Sequence, residues 1–347
     1  KGIMEKFKIA KNSIDSIAFF KIQLPLKKEE TISYFRLDNF RNRLLISSSE
    51  NTIYSVAITN GQLLSKKNIQ PYGDFAITPK SIYFNSYDGA VTQTDPISFK
   101  TISKTIVGTQ KEVASLIKVT NNFKQLIVFT NETDFAVLNI PSNKIKYHRK
   151  NQNTFLYAMA ISADNKYLAT GGFDSKISLF NIATGEKLLN IFTPFGLDFV
   201  AADTNGNYLA NKKSLEGLSF KLNDKIFDFD QFDIKFNRPD LILQQTIYGD
   251  TTLIEAYKKA VTKRIKKAGY NNANEIQTTQ LPLVMLKDQS ELELFTNQDT
   301  VETLVECSDG RYPIKALHIT VNNNPLYGFA GMPLGNTSTD TIINIKI

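Results

Sequence analysis

The sequence predicts a mainly β protein whose first two thirds consist of tandem units of short strands. A turn acid that precedes an alternating strand recurs with spacings of 38, 44 and 42 residues, at Glu50, Asp88, Glu132 and Asp174. An apolar β-branched residue stands three positions after three of these acids, at Ile53, Val91 and Ile177. A period of about 40 residues with several strands per unit predicts a β-propeller, because each unit can bury its faces only against its neighbours.

The composition agrees with a folded chain. Its 347 residues are 42% hydrophobic and 22% charged, which is too apolar for a disordered protein. Phenylalanine and tyrosine are plentiful, as is typical of strands that pack through aromatic side chains. The longest apolar run, Ile17 to Leu26, is interrupted by polar residues and is too short for a membrane span.

The repeats divide residues 1–232 into successive blades. Strand-like pieces in residues 1–26 are expected to be the remnant of one blade, part of which would precede Lys1. Five units follow, near residues 27–70, 71–111, 112–151, 152–192 and 193–232. The last unit is aligned by Tyr208 to Ala210, which match Tyr167 to Ala169. We therefore expect an incomplete propeller of five to six blades, each with four antiparallel strands.

The fourth unit carries the fullest motif, GGFDSKISLFNIATGEKLLNIF, at residues 171–192. Phe180 and Asn181 stand where a Trp-Asp pair would close a strand, after the turn acid Asp174 and before the turn Thr184–Gly185. In these residues the unit resembles the WD40 family, which implies a propeller used for protein interaction. The chain has no Trp, so we interpret Asp174 as a turn acid that accepts backbone hydrogen bonds. Phe180 is expected to be buried between blades.

Residues 233–276 are predicted to form a helical connector. Pro239 in the segment Asn237-Arg238-Pro239-Asp240 suits the first position of a short helix that ends near Gln245. A longer helix follows, with a capping box at Thr252 and Glu255 and a stop at Gly269. Its apolar residues fall on one face, at Leu253, Ile254, Tyr257, Val261, Ile265 and Ala268. We expect Arg238 and Asp240 to fix the chain direction by an ion pair or by backbone hydrogen bonds.

The opposite face of this helix is basic. The net charge of the chain is +7, and its one dense cationic cluster comprises Lys258, Lys259, Lys263, Arg264, Lys266 and Lys267. One interpretation is a solvated outer face. The alternative is a face that docks on an acidic partner or on nucleic acid. Aromatic residues do not alternate with the lysines and the sequence has no recognised nucleic-acid motif, which favours the first interpretation.

Residues 277–347 read as strands again, at Leu283 to Leu286, Glu291 to Phe295, Val301 to Cys307, Ile314 to Val321 and Thr341 to Ile347. This pattern predicts a small antiparallel β-sandwich, similar to an immunoglobulin domain. Its last strand is expected to belong to a domain that continues beyond Ile347.

The order of the elements carries a second resemblance. Asn237 to Asp240, followed by Ala256 to Ala260 and by the Asn322–Asn323 hairpin, looks like the connector and β domain that follow WD40 propellers in a group of bacterial multidomain proteins. In that group a caspase-like cysteine peptidase commonly comes next. The resemblance implies a scaffold or sensor module of a larger bacterial protein. The alternative is the regulatory region of a peptidase, which would then be the partner.

The sequence predicts that no catalysis occurs in these residues. Cys307 lies at the end of a predicted strand, while His148 and His318 are expected at the surface. These three residues make no zinc set, and the acids Asp228, Asp230 and Asp233 lack the spacing of a calcium loop. No cofactor is expected. A single cysteine suggests a reducing compartment such as the cytoplasm, with a disulfide-free exported protein as the alternative.

Overall fold

A computed structural model describes residues 3–10, 13–69, 73–86, 88–108, 116–129, 133–150, 154–193, 196, 198–215, 219–222, 225–228, 232–246, 250–276, 282–287, 297, 299–310, 312–321, 324–328, 330–335 and 339–347. Backbone contacts divide the chain into two units. The first comprises residues 1–217 and 241–250, and the second comprises residues 218–240 and 251–347. The predicted division at residues 232 and 276 stays a prediction.

The first unit opens with an antiparallel hairpin of β1 (Ile3–Ala10) and β2 (Ser13–Gln23). Where the chain leaves this hairpin, Ile22 and Leu24 are buried against Ile46 and Tyr54 of the next sheet. These contacts cover part of the first face of the blade array.

Three four-stranded antiparallel sheets follow, each with its strands paired in chain order. The first contains β3 (Ile32–Asp38), β4 (Arg43–Ser48), β5 (Thr52–Ala57) and β6 (Leu63–Asn68). The second contains β7 (Phe75–Ile77), β8 (Ile82–Asn85), β9 (Ala90–Thr94) and β10 (Thr101–Ile106). The third contains β11 (Ile117–Val119), β12 (Gln125–Phe129), β13 (Asp134–Asn139) and β14 (Lys144–Lys150). We call these sheets blades 1, 2 and 3.

Blade 4 has six strands. They are β15 (Leu156–Ile161), β16 (Tyr167–Gly172), β17 (Lys176–Asn181), β18 (Lys187–Phe192), β19 (Val200–Asp203) and β20 (Tyr208–Ala210). The fifth predicted unit therefore does not form a separate sheet in the described residues. Its first two strands continue blade 4, because β19 pairs with β18 from Leu189–Asp203 to Phe192–Val200.

Adjacent blades pack face to face through apolar clusters. Leu45 and Ile53 of blade 1 meet Phe75 of blade 2. Tyr83 and Val91 of blade 2 cluster with residues of blade 3, and Phe129, Phe135 and Val137 of blade 3 cluster with Leu168 and Phe180 of blade 4. The first strands β3, β7, β11 and β15 are successive neighbours. Sequential four-stranded blades with adjacent first strands are the arrangement of a WD40-like propeller, which confirms the predicted fold class.

Polar contacts also join consecutive blades. Tyr147 and Arg149 on the outer strand of blade 3 donate hydrogen bonds to carbonyls in residues 182–185 of blade 4, at 2.6 to 2.9 Å. Gly185 has φ +71, and a Cβ there would lie 2.5 Å from the Tyr147 ring. This turn needs glycine both for its backbone conformation and for the close approach of blade 3.

The connector region of the second unit begins with the hairpin β21 (Ser219–Leu222) and β22 (Lys225–Asp228). Three helices follow along the chain: α1 (Asp233–Phe236), α2 (Pro239–Gln244) and α3 (Thr251–Lys267); residues 241–244 of α2 are counted with the first unit. Phe220 of the hairpin packs against Phe232 and Phe236, with ring centroids 4.8 and 5.5 Å apart. Phe220 was expected in the fifth blade, and this aromatic cluster is the reason that it lies with the connector instead.

The C-terminal part of the second unit is a three-stranded antiparallel sheet with two short ribbons. The sheet has the order β23 (Leu283–Leu286), β24 (Glu302–Ser308), β29 (Asp340–Lys346). The ribbons are β25 (Ala316–Leu317) with β28 (Met332–Pro333), and β26 (Thr320–Val321) with β27 (Asn324–Pro325). Val305, Cys307 and Ile345 of the sheet form a core with Leu317. Predicted strand 291–295 and the Asn322–Asn323 turn lie outside the described residues.

Candidate interaction surface

The blades present two ends to solvent. The loop end is where the chain enters the first strand of each blade and where the second and third strands are joined. The turn end is where the first and second strands are joined, and the third and fourth. In blade 4 the loop end comprises the entry at residues 154–155 and the turn at residues 173–175, whereas the turn end comprises residues 162–166 and 182–186.

Three exposed aromatic side chains meet at the loop end of blade 4, and we call them the aromatic cluster. Phe155, Tyr157 and Phe173 are 44%, 53% and 68% exposed. The Phe173 ring lies edge-on to both others, with centroids 5.6 Å from Phe155 and 4.3 Å from Tyr157. Edge-to-face rings attract each other beyond their area burial. The cluster is therefore ordered although it is exposed.

The backbone beneath the cluster holds its members together. Phe155 precedes β15, and Phe173 opens the turn between β16 and β17. The Asp174 N–H donates to the buried Thr154 hydroxyl at 3.0 Å, and the Phe173 N–H donates to the Phe155 carbonyl at 3.0 Å. A Cβ at Gly172 would lie 2.5 Å from that same carbonyl oxygen. The turn is thus pressed onto the entry of the blade, which brings the three rings together.

The repeat positions singled out in the sequence lie at blade turns. Asp174 Oδ1 accepts the Lys176 N–H at 3.3 Å, so it acts as a turn acid. Asn181 Oδ1 accepts the N–H groups of Ala183 and Thr184. Asp88 pairs with Lys104, and the hydrogen bond from that ammonium is the main reason that the pKa of Asp88 is lowered. Glu132 lies outside the described residues.

Phe180 occupies the interface between blades 3 and 4. It is 3% exposed, and its ring lies edge-on to Phe135 at 5.1 Å. The Lys187 ammonium stands 5.6 Å from the ring centroid. This burial agrees with the position that the repeat pattern gives to a large apolar side chain.

Blade 1 contains a buried polar network at its loop end that sequence reasoning missed. Glu30 accepts hydrogen bonds from the Ser48 hydroxyl at 2.5 Å, from the Tyr54 hydroxyl at 2.8 Å and from the Lys27 N–H at 2.9 Å. Burial would raise the pKa of Glu30, but these three bonds and the charge of Lys66 together outweigh it and hold the pKa below its usual value. Burial and the bond to Glu30 raise the pKa of Tyr54.

This network joins three parts of blade 1. Its members come from the blade entry, the end of the second strand and the third strand. At the matching places, blade 2 pairs Ser86 with Thr92 at 2.9 Å, and blade 4 uses Thr154 to bind the Asp174 N–H. Ser48 and Tyr54 lie 18 and 24 residues from Glu30, so no short-range pattern in the sequence reveals this network.

The connector motif is held by an ion pair. Arg238 Nε and Nη2 donate to the two carboxylate oxygens of the buried Asp240 at 2.9 and 2.8 Å, which is one of the two arrangements that the sequence left open. Pro239 opens α2. The Asn237 side chain donates to Asp233 at 2.8 Å, and Arg264 reaches both the Asn237 carbonyl at 2.5 Å and the Asp233 carboxylate at 3.4 Å. Arg264 is therefore a structural residue of the connector.

Helix α3 presents its lysines to solvent. Ile254, Val261 and Ile265 are buried, whereas Leu253, expected on the same face, is 44% exposed because it lies about 100° around the helix from Ile254. The helix ends at Gly269, with φ +88, and with bonds from Tyr270 N to Ile265 O and from Gly269 N to Lys266 O. A groove of about 440 Å³ runs along the outer face, lined by Glu255, Lys258, Lys259, Thr262, Lys263 and Lys266. Lys267 is also exposed.

The nucleophile and base candidates are not poised for reaction. Cys307 is buried in β24, and burial raises the pKa of its thiol, which lowers its reactivity. His148 and His318 are exposed. No group of three or more His, Cys, Asp or Glu that could hold a metal is found in the described part of the chain. Asp230 and the Asp228 side chain lie outside that part. Among the described helices, none is long and apolar enough to cross a membrane.

Comparison with known proteins gives a likeness in structure but none in sequence family. No family model matches the chain, and no curated protein matches it. Among solved structures, it is similar to a chain in the crystal structure of the mitotic checkpoint complex, with 16% identity and a TM-score of 0.43. The match covers 53% of this chain and 62% of that one, so this chain spans less than two thirds of the length of its relative. The blade assignment rests on the strand order and packing described above.

Proposed function

We propose that this chain is a non-catalytic protein-interaction scaffold and that the aromatic cluster is its contact surface. The supporting observation is the mutual edge packing of Phe155, Tyr157 and Phe173 at an exposed loop end. Aromatic anchors held in place by a rigid scaffold lose little entropy on binding, and such residues dominate binding energies at protein interfaces. Propellers present loops on a stable array of blades, which suits recognition rather than chemistry.

The finer proposal concerns the partner. The connector Asn237 to Asp240 resembles that of bacterial multidomain proteins in which a caspase-like peptidase follows, and we infer that this chain is the sensor or regulatory part of such an assembly. The partner would then be a peptidase domain of the same polypeptide, and the compartment would be the cytoplasm. The immunoglobulin-like reading of residues 277–347 belongs to this proposal.

Site-specific photo-crosslinking tests the contact surface. The full chain is produced in its host with p-benzoylphenylalanine at position 173, and separately at position 102 as the control. Ile102 is a suitable control because it is 57% exposed on the outer strand of blade 2. A protein adduct of one defined mass that forms from position 173 alone is expected. Equal adducts from both positions would mean that the cluster is not a specific surface.

Binding strength gives the second measurement. Once the crosslinked partner has been identified and purified, Phe173→Ala is expected to weaken its binding at least tenfold, because an interface hot spot is worth about 2 kcal/mol or more. Ile102→Ala should leave the affinity unchanged. An affinity that is insensitive to Phe173→Ala contradicts the proposal.

A second candidate function rests on the groove along α3. Four lysines line it against one acid, Glu255, which is the charge pattern of a surface for an acidic polypeptide. Nucleic acid is the less favoured partner, because the sequence has no recognised nucleic-acid motif and no aromatic residues alternate with the lysines. The affinity for poly-glutamate should fall as the salt concentration rises. It should also fall in the double variant Lys259→Ala plus Lys263→Ala, but much less in the control Lys287→Ala plus Lys315→Ala, which removes the same number of charges elsewhere. Tighter binding to duplex DNA would reverse the order of the two partners.

A further inference from the structure

A cavity of about 380 Å³ opens at the turn end, between blades 2 and 3. We call it the turn-end cavity. It is lined by Thr78, Pro79, Lys80, Ser81, Tyr83, Gln93, Phe123, Ile140 and Pro141. Its volume lies at the lower end of the range for small-molecule sites, which is about 300 to 1,000 Å³. It lies at the opposite end of the blades from the aromatic cluster, so the proposed function does not account for it.

The walls of the cavity are apolar and fixed. Phe123 is held at φ 55 in the turn between β11 and β12. Its ring lies edge-on to Phe40 of blade 1, with centroids 5.5 Å apart. Ile140 and the two prolines complete the apolar surface. A flat apolar group entering the cavity would therefore meet the Phe123 ring without reorganising the turn, which reduces the entropic cost of binding.

The floor of the cavity is polar, and its side chains are already hydrogen-bonded to other protein groups. Gln93 donates from Nε2 to the Ser81 hydroxyl and accepts from the Ser103 hydroxyl, both at 2.8 Å. Ser103 in turn accepts from Asn143 Nδ2 of blade 3 at 2.8 Å. The side chain of Tyr83 is buried in the same interface. A chain of bonds that crosses from blade 2 to blade 3 keeps these side chains in place when the cavity is empty.

The rim carries a positive charge. Lys80 is exposed, and no carboxylate lies within ion-pair distance of it among the residues that the structure describes. Lys124, beside Phe123, is a second exposed cation. Asp95, in the neighbouring turn of blade 2, accepts three hydrogen bonds from Ile97 and Ser98, which hold its carboxylate in its own turn but leave its charge in place. The attraction of an anion to this rim therefore rests on Lys80 and Lys124, next to the apolar walls.

We propose that the turn-end cavity binds a small aromatic carboxylate, with its ring against Phe123 and its carboxylate at Lys80. The apolar walls, the rigid polar floor and the uncompensated ammonium together select a ring that bears an anionic group. A neutral molecule of the same shape would use only the walls. A free carboxylate without a ring would use only Lys80, which in water contributes little.

A ligand-by-variant cycle on the full chain tests this site, with indole-3-propionate and its neutral amide as the two probes. Binding is measured by chemical-shift titration at low salt. The carboxylate should bind about fivefold more tightly than the amide, as expected for one exposed ion pair. Lys80→Ala should abolish this preference. Lys166→Ala removes an exposed lysine from the equivalent turn of blade 4, and it should preserve the preference. Phe123→Ala should weaken both probes.

Three results would overturn the proposal. The first is the absence of saturable binding of either probe at millimolar concentration. The second is equal affinity for carboxylate and amide. The third is an equal loss of preference in Lys80→Ala and Lys166→Ala, which would show general attraction to a basic surface. Because both lysines are exposed, each variant is expected to fold, and an unchanged melting temperature verifies this before titration.

Discussion

Replacing Phe180 by alanine should destabilise the blade array strongly. The ring is almost fully buried between blades 3 and 4, where it contacts Phe135 edge-on. Deleting a buried Phe side chain costs about 3 to 5 kcal/mol, including the cavity that remains. Here the cavity would lie between two sheets whose strands are fixed by their hydrogen bonds, so collapse can relieve little of it.

Thermal unfolding followed by circular dichroism measures this effect. For a folding unit of 150 to 250 residues, each kcal/mol lowers the melting temperature by about 2 to 4 °C, so Phe180→Ala should lower it by about 6 to 20 °C. Phe180→Leu preserves most of the volume and should cost under about 1.5 kcal/mol.

Phe173→Ala is the matched control for position. It removes the same side chain from the same repeat, but from a site that is 68% exposed, and should cost no more than about 0.5 kcal/mol. If Phe180→Ala and Phe173→Ala lowered the melting temperature equally, Phe180 could not be a core residue of the blade interface.

Three further outcomes are expected. Glu30→Gln should lower the free energy of unfolding at neutral pH, because the pKa of Glu30 is depressed in the folded state and the ionised carboxylate stabilises the fold. The difference from wild type should shrink below about pH 4.3, where the carboxylate becomes protonated. A difference that grows in acid would contradict this. Gly185→Ala should cost more than Gly196→Ala in urea unfolding, because both glycines have positive φ but only Gly185 is crowded; equal losses would leave backbone strain as the whole effect. Arg238→Ala should destabilise the protein by about 1.5 to 3 kcal/mol, because the buried Asp240 carboxylate loses two charge-assisted hydrogen bonds; an unchanged urea midpoint would argue against the ion pair.

The blades could be predicted because their signals are local. A turn acid, an alternating strand and a Thr-Gly turn recur within about 40 residues, and together they place Phe180 at a blade interface. The Arg238–Asp240 pair was also predictable, since its members are two residues apart. The end of α3 followed from Gly269, which adopts the positive φ that a helix stop requires.

Contacts between residues that are far apart in the sequence could not be predicted. Glu30 and Tyr54 are 24 residues apart, and their bond depends on how the entry loop of blade 1 settles over its third strand. The fifth unit has matching residues at Tyr208 to Ala210, yet β19 pairs with the exposed edge of β18 instead of starting a new sheet. The spacing of residues does not tell whether β19 pairs with β18 or begins a new sheet, because both arrangements satisfy the backbone N–H and C=O groups of β19.

The aromatic cluster also escaped prediction, for a different reason. Aromatic residues at strand positions were read as blade core, and for Phe180 that reading holds. Phe155 precedes β15 and Tyr157 lies on it, and the two flank the buried Leu156, so strand alternation places both rings on the exposed face. The sequence alone does not tell which of the two alternating sets of residues is buried.

Within one repeat, one aromatic side chain therefore stabilises the fold and a different one belongs to the proposed contact surface. Phe173 and Phe180 are seven residues apart, yet Phe173 packs against the exposed rings of Phe155 and Tyr157 while Phe180 lies in the interface with blade 3. The turn that carries Phe173 is positioned by the backbone, through the hydrogen bond from the Asp174 N–H to Thr154 and the close approach at Gly172. Changes at Phe173 should consequently alter binding without lowering stability, whereas changes at Gly172 should displace the whole cluster while Phe180 stays buried. A Gly172→Ala variant that retained partner binding would show that the rings need no such support.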